Sequence, residues 1–111
     1  MLDKYFYKEK NEKFFLDFKP NGLFYRLTDE NALIINYLFN TKIKDGITFI
    51  AKENIKRVMR KIKDLHIDYA IDNTKHHYRD NKYSKYLKYG KKKEEIDRLY
   101  EILISEIEND E

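Results

Sequence analysis

Between positions 75 and 93 the chain interleaves cations with aromatic rings, a pairing that can bind a polyanion. Arg79, Lys82, Lys85 and Lys88 recur every three residues, as do Tyr83, Tyr86 and Tyr89, and Lys91, Lys92 and Lys93 close the block. Lysines at this density neutralise phosphates, while tyrosines offer flat faces on which bases stack. The three-residue spacing suits a helix with charge on one face and rings on another. Residues 75–93 carry eight basic and one acidic side chain, a net of +7. Residues 94–111 carry one basic and eight acidic, a net of −7, whereas 1–74 hold +3. The whole-chain charge of +3 therefore hides two adjacent blocks of opposite sign. Because the tail can neutralise the block in place, a solvated, Tyr-rich face is an equally open reading.

Other chemistry is poorly served. His76 and His77 are neighbours, so on a helix or strand they point apart, and no third ligand stands near them in sequence; no metal site is expected. Phosphate-loop, nucleophile-elbow and zinc-protease motifs are missing. Asp17-Phe18-Lys19 has the D-x-K spacing of some nuclease sites, but a lone match is expected by chance in a chain that is 39% charged. The expectation is a non-catalytic binding protein without a cofactor. No cysteine is present, which suits a reducing compartment. The longest aliphatic run, Ala32 to Ile35, is far short of the roughly 20 residues of a membrane helix. The opening Met1-Leu2-Asp3-Lys4-Tyr5 lacks an apolar signal core. These features point to the cytoplasm of a bacterial cell and to no membrane partner. Lys, Ile, Asn and Tyr, all served by AT-rich codons, make up 50 of 111 residues, as in low-GC bacteria, plasmids and phages.

The elements that must position these residues follow from periodicity. With 41% hydrophobic and 15% aromatic residues, the chain can build one core around Phe, Tyr, Ile and Leu. Tyr7, Phe14, Phe15 and Phe18 lie at helical spacing before Pro20. Leu23 to Leu27 is rich in strand formers, and Thr28 is placed to cap a helix buried on most sides through Ala32, Leu33, Ile34, Ile35, Tyr37, Leu38 and Phe39. Asp45-Gly46, between Ile43 and Phe49, is a two-residue hairpin turn. Ile55, Val58, Met59, Ile62 and Leu65 mark an amphipathic helix, and Ile67, Tyr69 and Ile71 alternate as in a half-buried strand. A last helix after Gly90 carries Ile96, Leu99, Tyr100, Leu103 and Ile107 on one face. Its charges oppose the helix dipole, with lysines at the positive end and Glu106 and Glu108 at the negative end, so local stability did not choose them.

Gly22 to Ala32, G-L-F-Y-R-L-T-D-E-N-A, resembles the G-D-F-Y-E-L-F-Y-D-D-A region of the N-terminal mismatch-recognition domain of MutS proteins, without a gap. Gly46 to Asn54, G-I-T-F-I-A-K-E-N, is similar to that family's G-I-P-Y-H-A-V-E-N. The resemblance covers residues 14–72. It implies an α+β fold, a small mixed sheet with helices packed on it, to which a C-terminal helix is added. It also implies that Phe24 stands where the family has the phenylalanine that wedges beside a mismatched base. Arg26 stands where the family has the glutamate that hydrogen-bonds that base. An arginine cannot accept a hydrogen bond but can pair with phosphate or a guanine edge. Mismatch reading is therefore not implied, and neither is nucleotide hydrolysis, since the family's ATPase domain has no counterpart.

The organisation expected is a core over 1–72, a basic Tyr-rich segment over 73–93, and an acidic helix over 94–111 packed on the core or in a homodimer. The expected surface joins Phe24 and Arg26 to the 75–93 block, for nucleic acid or a nucleoprotein. The competing expectation is a phage-encoded inhibitor of the anti-CRISPR type, acting on a nuclease effector by protein–protein contact.

Overall fold

In the computed structural model, which describes residues 14–109, the order of elements is β1 (Leu16–Asn21), β2 (Phe24–Thr28), α1 (Glu30–Phe39), β3 (Ile47–Ala51), α2 (Ile55–Asp64), β4 (Tyr69–Ile71), β5 (Thr74–His76) and α3 (Tyr83–Asn109). The fold is α+β. Its five strands form one mixed sheet in the order β3-β2-β1-β4-β5, with β1 and β4 parallel and the other neighbours antiparallel.

Alternation decides which face is covered. Leu16 and Phe18 of β1, Tyr25 and Leu27 of β2, Ile50 of β3 and Tyr69 of β4 point to one side and are buried. Ile34 and Ile35 of α1, Val58, Met59 and Ile62 of α2, and Tyr83 and Leu87 of α3 close over them in the same core. Truncating Phe18 in such a core costs about 3–5 kcal/mol. The tight turns are of the kind the sequence requires. Asp45 and Gly46 both have positive φ, and Lys44 and Ile47 exchange backbone bonds of 2.9 and 3.0 Å across them. The strand before that turn shrinks to a single bridge at Lys44. Asp72 and Asn73, likewise with positive φ, turn β4 into β5, a strand whose short polar sequence Thr-Lys-His gives no pattern to read.

Several expectations need correction. Residues 14–18 are not helical: Leu16 and Phe18 alternate with Asp17 in a strand, and both inward side chains fill the core; Tyr7 lies outside the described residues. Pro20 is tolerated because β4 pairs β1 only through Phe18, so no ladder partner needs the missing N–H on that side. Thr28 does not cap α1, since it is still paired with Ile47 in the sheet. Asp29 holds the cap position at φ 55 and ψ −121, without a side-chain cap bond, its N–H donated to the Gly46 carbonyl at 2.7 Å.

The last helix starts at Tyr83 rather than after Gly90, and this changes the division of the chain. Tyr83 is enclosed in the core, and its hydroxyl is hydrogen-bonded to the Asn31 side-chain amide at 2.7 Å. Burial pushes its pKa well above the ordinary tyrosine value. Residues 74–76 pair in the sheet and 83–90 pack on α1, so the basic segment is part of the domain rather than an addition to it. Gly90 sits where α3 crosses α1: a Cβ there would stand 2.7 Å from the Leu33 carbonyl oxygen. The glycine thus marks a close approach, not a helix start. Beyond Glu94 the helix leaves the core, and its apolar residues Ile96, Leu99, Leu103 and Ile107 are all exposed within the monomer, which corrects the expectation of a tail packed on the core. Lys91 to Lys93 lie two turns inside α3, so they do not burden its N-terminus.

The crossing yields a prediction. In an open helix Gly→Ala gains about 1 kcal/mol. Gly90→Ala should instead destabilise the fold by about 1–3 kcal/mol, because backbone cannot yield to the new methyl. Chemical denaturation checks this; a gain in stability would mean that the crossing is looser than described.

Candidate functional site

The three helices among the described residues cover one side of the sheet, and no described helix lies on the other. The residues that alternate onto it include Asp17 and Lys19 of β1, Phe24 and Arg26 of β2, Phe49 and Ala51 of β3, Ala70 of β4 and Lys75 of β5. Phe24 is 44% exposed and Phe49 45%, and their rings meet edge to face with centroids 6.0 Å apart. Arg26 is flanked across the strands by Phe49 on one side and Lys19 on the other. On the far strand Lys75 reaches over the Phe15 ring, its Nζ 4.3 Å from the centroid. Asp17 is the one strand carboxylate on this face among the described residues, 3.9 Å from the Lys19 ammonium. Two aromatic groups and three cations, from four of the five strands, thus share one face of the sheet.

The sequence folds this way at a visible cost. In β3, Ile47-Thr48-Phe49-Ile50-Ala51, burying the phenylalanine and exposing the threonine would be the apolar choice. The strand does the reverse: Thr48 is fully buried and Phe49 faces water. The buried hydroxyl is satisfied by donating to the Lys42 carbonyl at 2.8 Å and accepting from the Thr41 hydroxyl at 2.6 Å. A solvent-facing ring opposite a carefully satisfied buried threonine is the more informative kind of exposure. Arg26 shows a second imbalance. Its Nε is buried and finds no hydrogen-bond partner among the described residues. Such an unsatisfied donor carries a desolvation cost, while Arg26 as a whole is half-exposed and can still pair with an anion.

The face is anchored from beneath. Tyr25, between Phe24 and Arg26, turns inward, and its hydroxyl donates to the Asp72 carboxylate at 3.0 Å. Burial, with Asp72 adding to it, raises the Tyr25 pKa, so the phenol stays a donor. The 77–82 loop is tied separately. Asp68 accepts from the Tyr78 backbone N–H at 2.7 Å and pairs with the His77 ring, while Asn81 links the Asp68 N–H to the Phe14 carbonyl. The His66 ring bonds to Asp80 and holds that exposed carboxyl below the usual range.

The structure divides the residues expected from sequence. Phe24 and Arg26 share a face, as strand alternation requires. The 75–93 block does not join them as one surface. Only Lys75 reaches the sheet face; Lys85, Lys88, Lys91 and Lys92 are exposed on α3, in the layer that covers the opposite side. Arg79 and Lys82 precede α3, so the three-residue repeat is not one helical face. Tyr83 is core and cannot stack a base, Tyr86 is half-buried against the core, and Tyr89 packs on Tyr37 with centroids 5.5 Å apart. Lys93 is engaged with Asn36 at 2.8 Å and Asp97 at 3.2 Å. Sequence reading missed Phe49 and Lys19, and held Lys75 only as a member of the 75–93 block. For Phe49 the signal was present, since Asp45-Gly46 sets the hairpin phase, but an aromatic in a strand is ordinarily counted as core.

Among the described residues no group of three His, Cys, Asp or Glu side chains could hold a metal ion, and no helix is long and apolar enough to cross a membrane. Comparison with protein families, curated proteins and solved structures finds no match to this chain.

If the rings of Phe24 and Phe49 serve the surface rather than the core, removing them should spare the fold. Phe24→Ala should cost no more than about 1 kcal/mol of stability, against about 3–5 kcal/mol for Phe18→Ala. Urea denaturation of the two variants checks this; equal losses would place Phe24 in the core.

Proposed function

We propose that this protein is a non-catalytic binder of single-stranded nucleic acid that works through the open face of its sheet. The observation carrying the reading is the exposed Phe24–Phe49 pair beside the half-exposed Arg26. Aromatic rings on a sheet take unpaired bases by stacking, and flanking cations take the phosphates between them. Lys19, Arg26 and Lys75 provide three such cations, Phe24 and Phe49 the rings. A duplex presents no free base faces, so single strands fit better than double strands. On this reading Phe24 keeps the base-contacting role that the MutS resemblance implies, while Arg26 contacts a phosphate or a guanine edge instead of a mismatch. The work is done in the cytoplasm of a bacterial host, in keeping with the AT-rich coding and the absence of cysteine, and the gene belongs to a phage or mobile element.

A second reading is supported by the acidic distal half of α3, which projects from the core with Glu101, Glu106 and Glu108 exposed. Such an arm could occupy the basic groove of a nuclease effector, as an anti-CRISPR inhibitor would. It predicts that charge reversal on the arm, and not on the sheet, removes activity.

Fluorescence anisotropy with labelled oligothymidylate and oligouridylate tests the first reading. Phe24→Ala and Phe49→Ala should each weaken binding by about 1–3 kcal/mol, the worth of one stacked base. Arg26→Glu should weaken it further and flatten the salt dependence by about 0.7 in slope for each phosphate no longer neutralised. Lys85→Glu/Lys88→Glu, on the helical layer, should matter less. Absence of binding by the unaltered protein, or binding indifferent to Phe24 and Arg26, would reject the sheet face.

A further inference from the structure

We infer that the distal half of α3 is a self-association arm, and that two copies pair through it in antiparallel orientation. The inference rests on α3 and its neighbour Tyr37, independently of what the sheet binds.

The arm has an apolar stripe that no described residue covers beyond its inner end, where Tyr89 packs on Tyr37. Tyr89, Ile96, Tyr100, Leu103 and Ile107 follow one another at seven, four, three and four residues, which is one helical stripe, and all are exposed. At about 100° per residue the stripe lies roughly a third of a turn from the side that packs on the core through Tyr83, Leu87 and Gly90. The covered side and the bare side are therefore distinct, and the bare side runs the length of the arm. Its inner end opens into a shallow notch lined by Tyr37, Tyr89, Lys92, Lys93 and Ile96.

Charge says what fits there. Over residues 83–93, α3 carries five lysines and no acidic side chain; over 94–109 it carries six acidic side chains and one arginine. Glu101, Glu106 and Glu108, and Lys85, Lys88 and Lys92, form no ion pair among the described residues. The acidic residues stand at the negative end of the helix dipole, where they are locally unfavourable. A second copy of α3 running the other way answers both mismatches. With the two-fold axis near Arg98, Ile107 of one copy enters the notch beside Tyr89 of the other, and Ile96 meets Tyr100. Glu106 then comes level with residue 90, between Lys88 and Lys92. These three lie within about 40° of one another around the helix, on the flank that meets its own equivalent in an antiparallel pair. A parallel pair would instead set lysines against lysines and glutamates against glutamates.

Sedimentation equilibrium from micromolar to submillimolar concentration tests the arm, with far-UV circular dichroism to confirm that each variant is folded. The unaltered protein should be a dimer, and Leu103→Asp a folded monomer. Lys88→Glu/Lys92→Glu should weaken the dimer at least tenfold, as should Glu106→Lys, and the combined variant should recover most of the loss. The chain has no cysteine, so Glu108→Cys takes a single spin label. An antiparallel pair about Arg98 separates the two labels by 20 residues of rise, about 30 Å, whereas a parallel pair leaves them about 10 Å apart. A monomer at every concentration, which leaves the stripe to a different protein, overturns the inference. So does a dimer indifferent to Leu103→Asp, a short label distance, or charge reversals that fail to compensate.

Discussion

A sheet of five strands whose buried apolar side chains fall on one face must be roofed on that face. Leu16, Phe18, Tyr25, Leu27, Ile50 and Tyr69 supply the apolar floor, and α1, α2 and α3 supply the roof. Everything else in the molecule follows from this one-sided burial. The 27-residue α3 can join the roof only by crossing α1 closely, which is why position 90 has no side chain. With the roof complete, no helix among the described residues remains for the other face, and whatever alternates onto it meets solvent. That those residues are Phe24, Phe49, Arg26, Lys19 and Lys75, rather than a run of Thr, Ser and Glu, is what gives the open face a chemical meaning.

The electrostatics divide along the same lines. Three cations and one carboxylate stay with the rings on the sheet face, while the larger charge blocks sit on α3 and its preceding loop. Lys93 is spent inside the fold, on Asn36 and Asp97. The +5 of residues 83–93 and the −5 of residues 94–109 are therefore less a binding platform than two halves of one long helix, and opposite charges on one helix favour an antiparallel copy of itself. The two surfaces are separate in the fold, so a dimer through α3 would leave each sheet face free.

Much of the fold was legible in the residues. The Asp45-Gly46 turn, the β2 and β4 strands and the amphipathic α2 follow from local chemistry and period. The alternation that joins Phe24 to Arg26 was legible too. What was not legible turns on tertiary contacts. Phe14, Phe15 and Phe18 have helical spacing, yet Phe18 lies in a strand, because β1 gains two ladder partners, β2 and β4, that no local pattern announces. Gly90 reads as a boundary until Leu33 is seen beneath it. Tyr83, Tyr86 and Tyr89 read as a stacking series, yet one is core, one half-core and one packed on Tyr37. Phe49 was hidden by the opposite error, a core residue type turned outward while Thr48 is buried and satisfied in its place.

The central claim, that the open face of the sheet receives a single strand, is tested most directly by heteronuclear NMR during titration with a short oligothymidylate. The account predicts that side-chain and backbone signals of Phe24, Arg26, Phe49, Lys19 and Lys75 shift together and saturably, with aromatic ring protons of Phe24 and Phe49 moving upfield under base stacking. Signals of Lys85, Lys88 and Lys91 on α3 should stay largely in place. Shifts confined to α3, or none at saturating oligonucleotide, would contradict it.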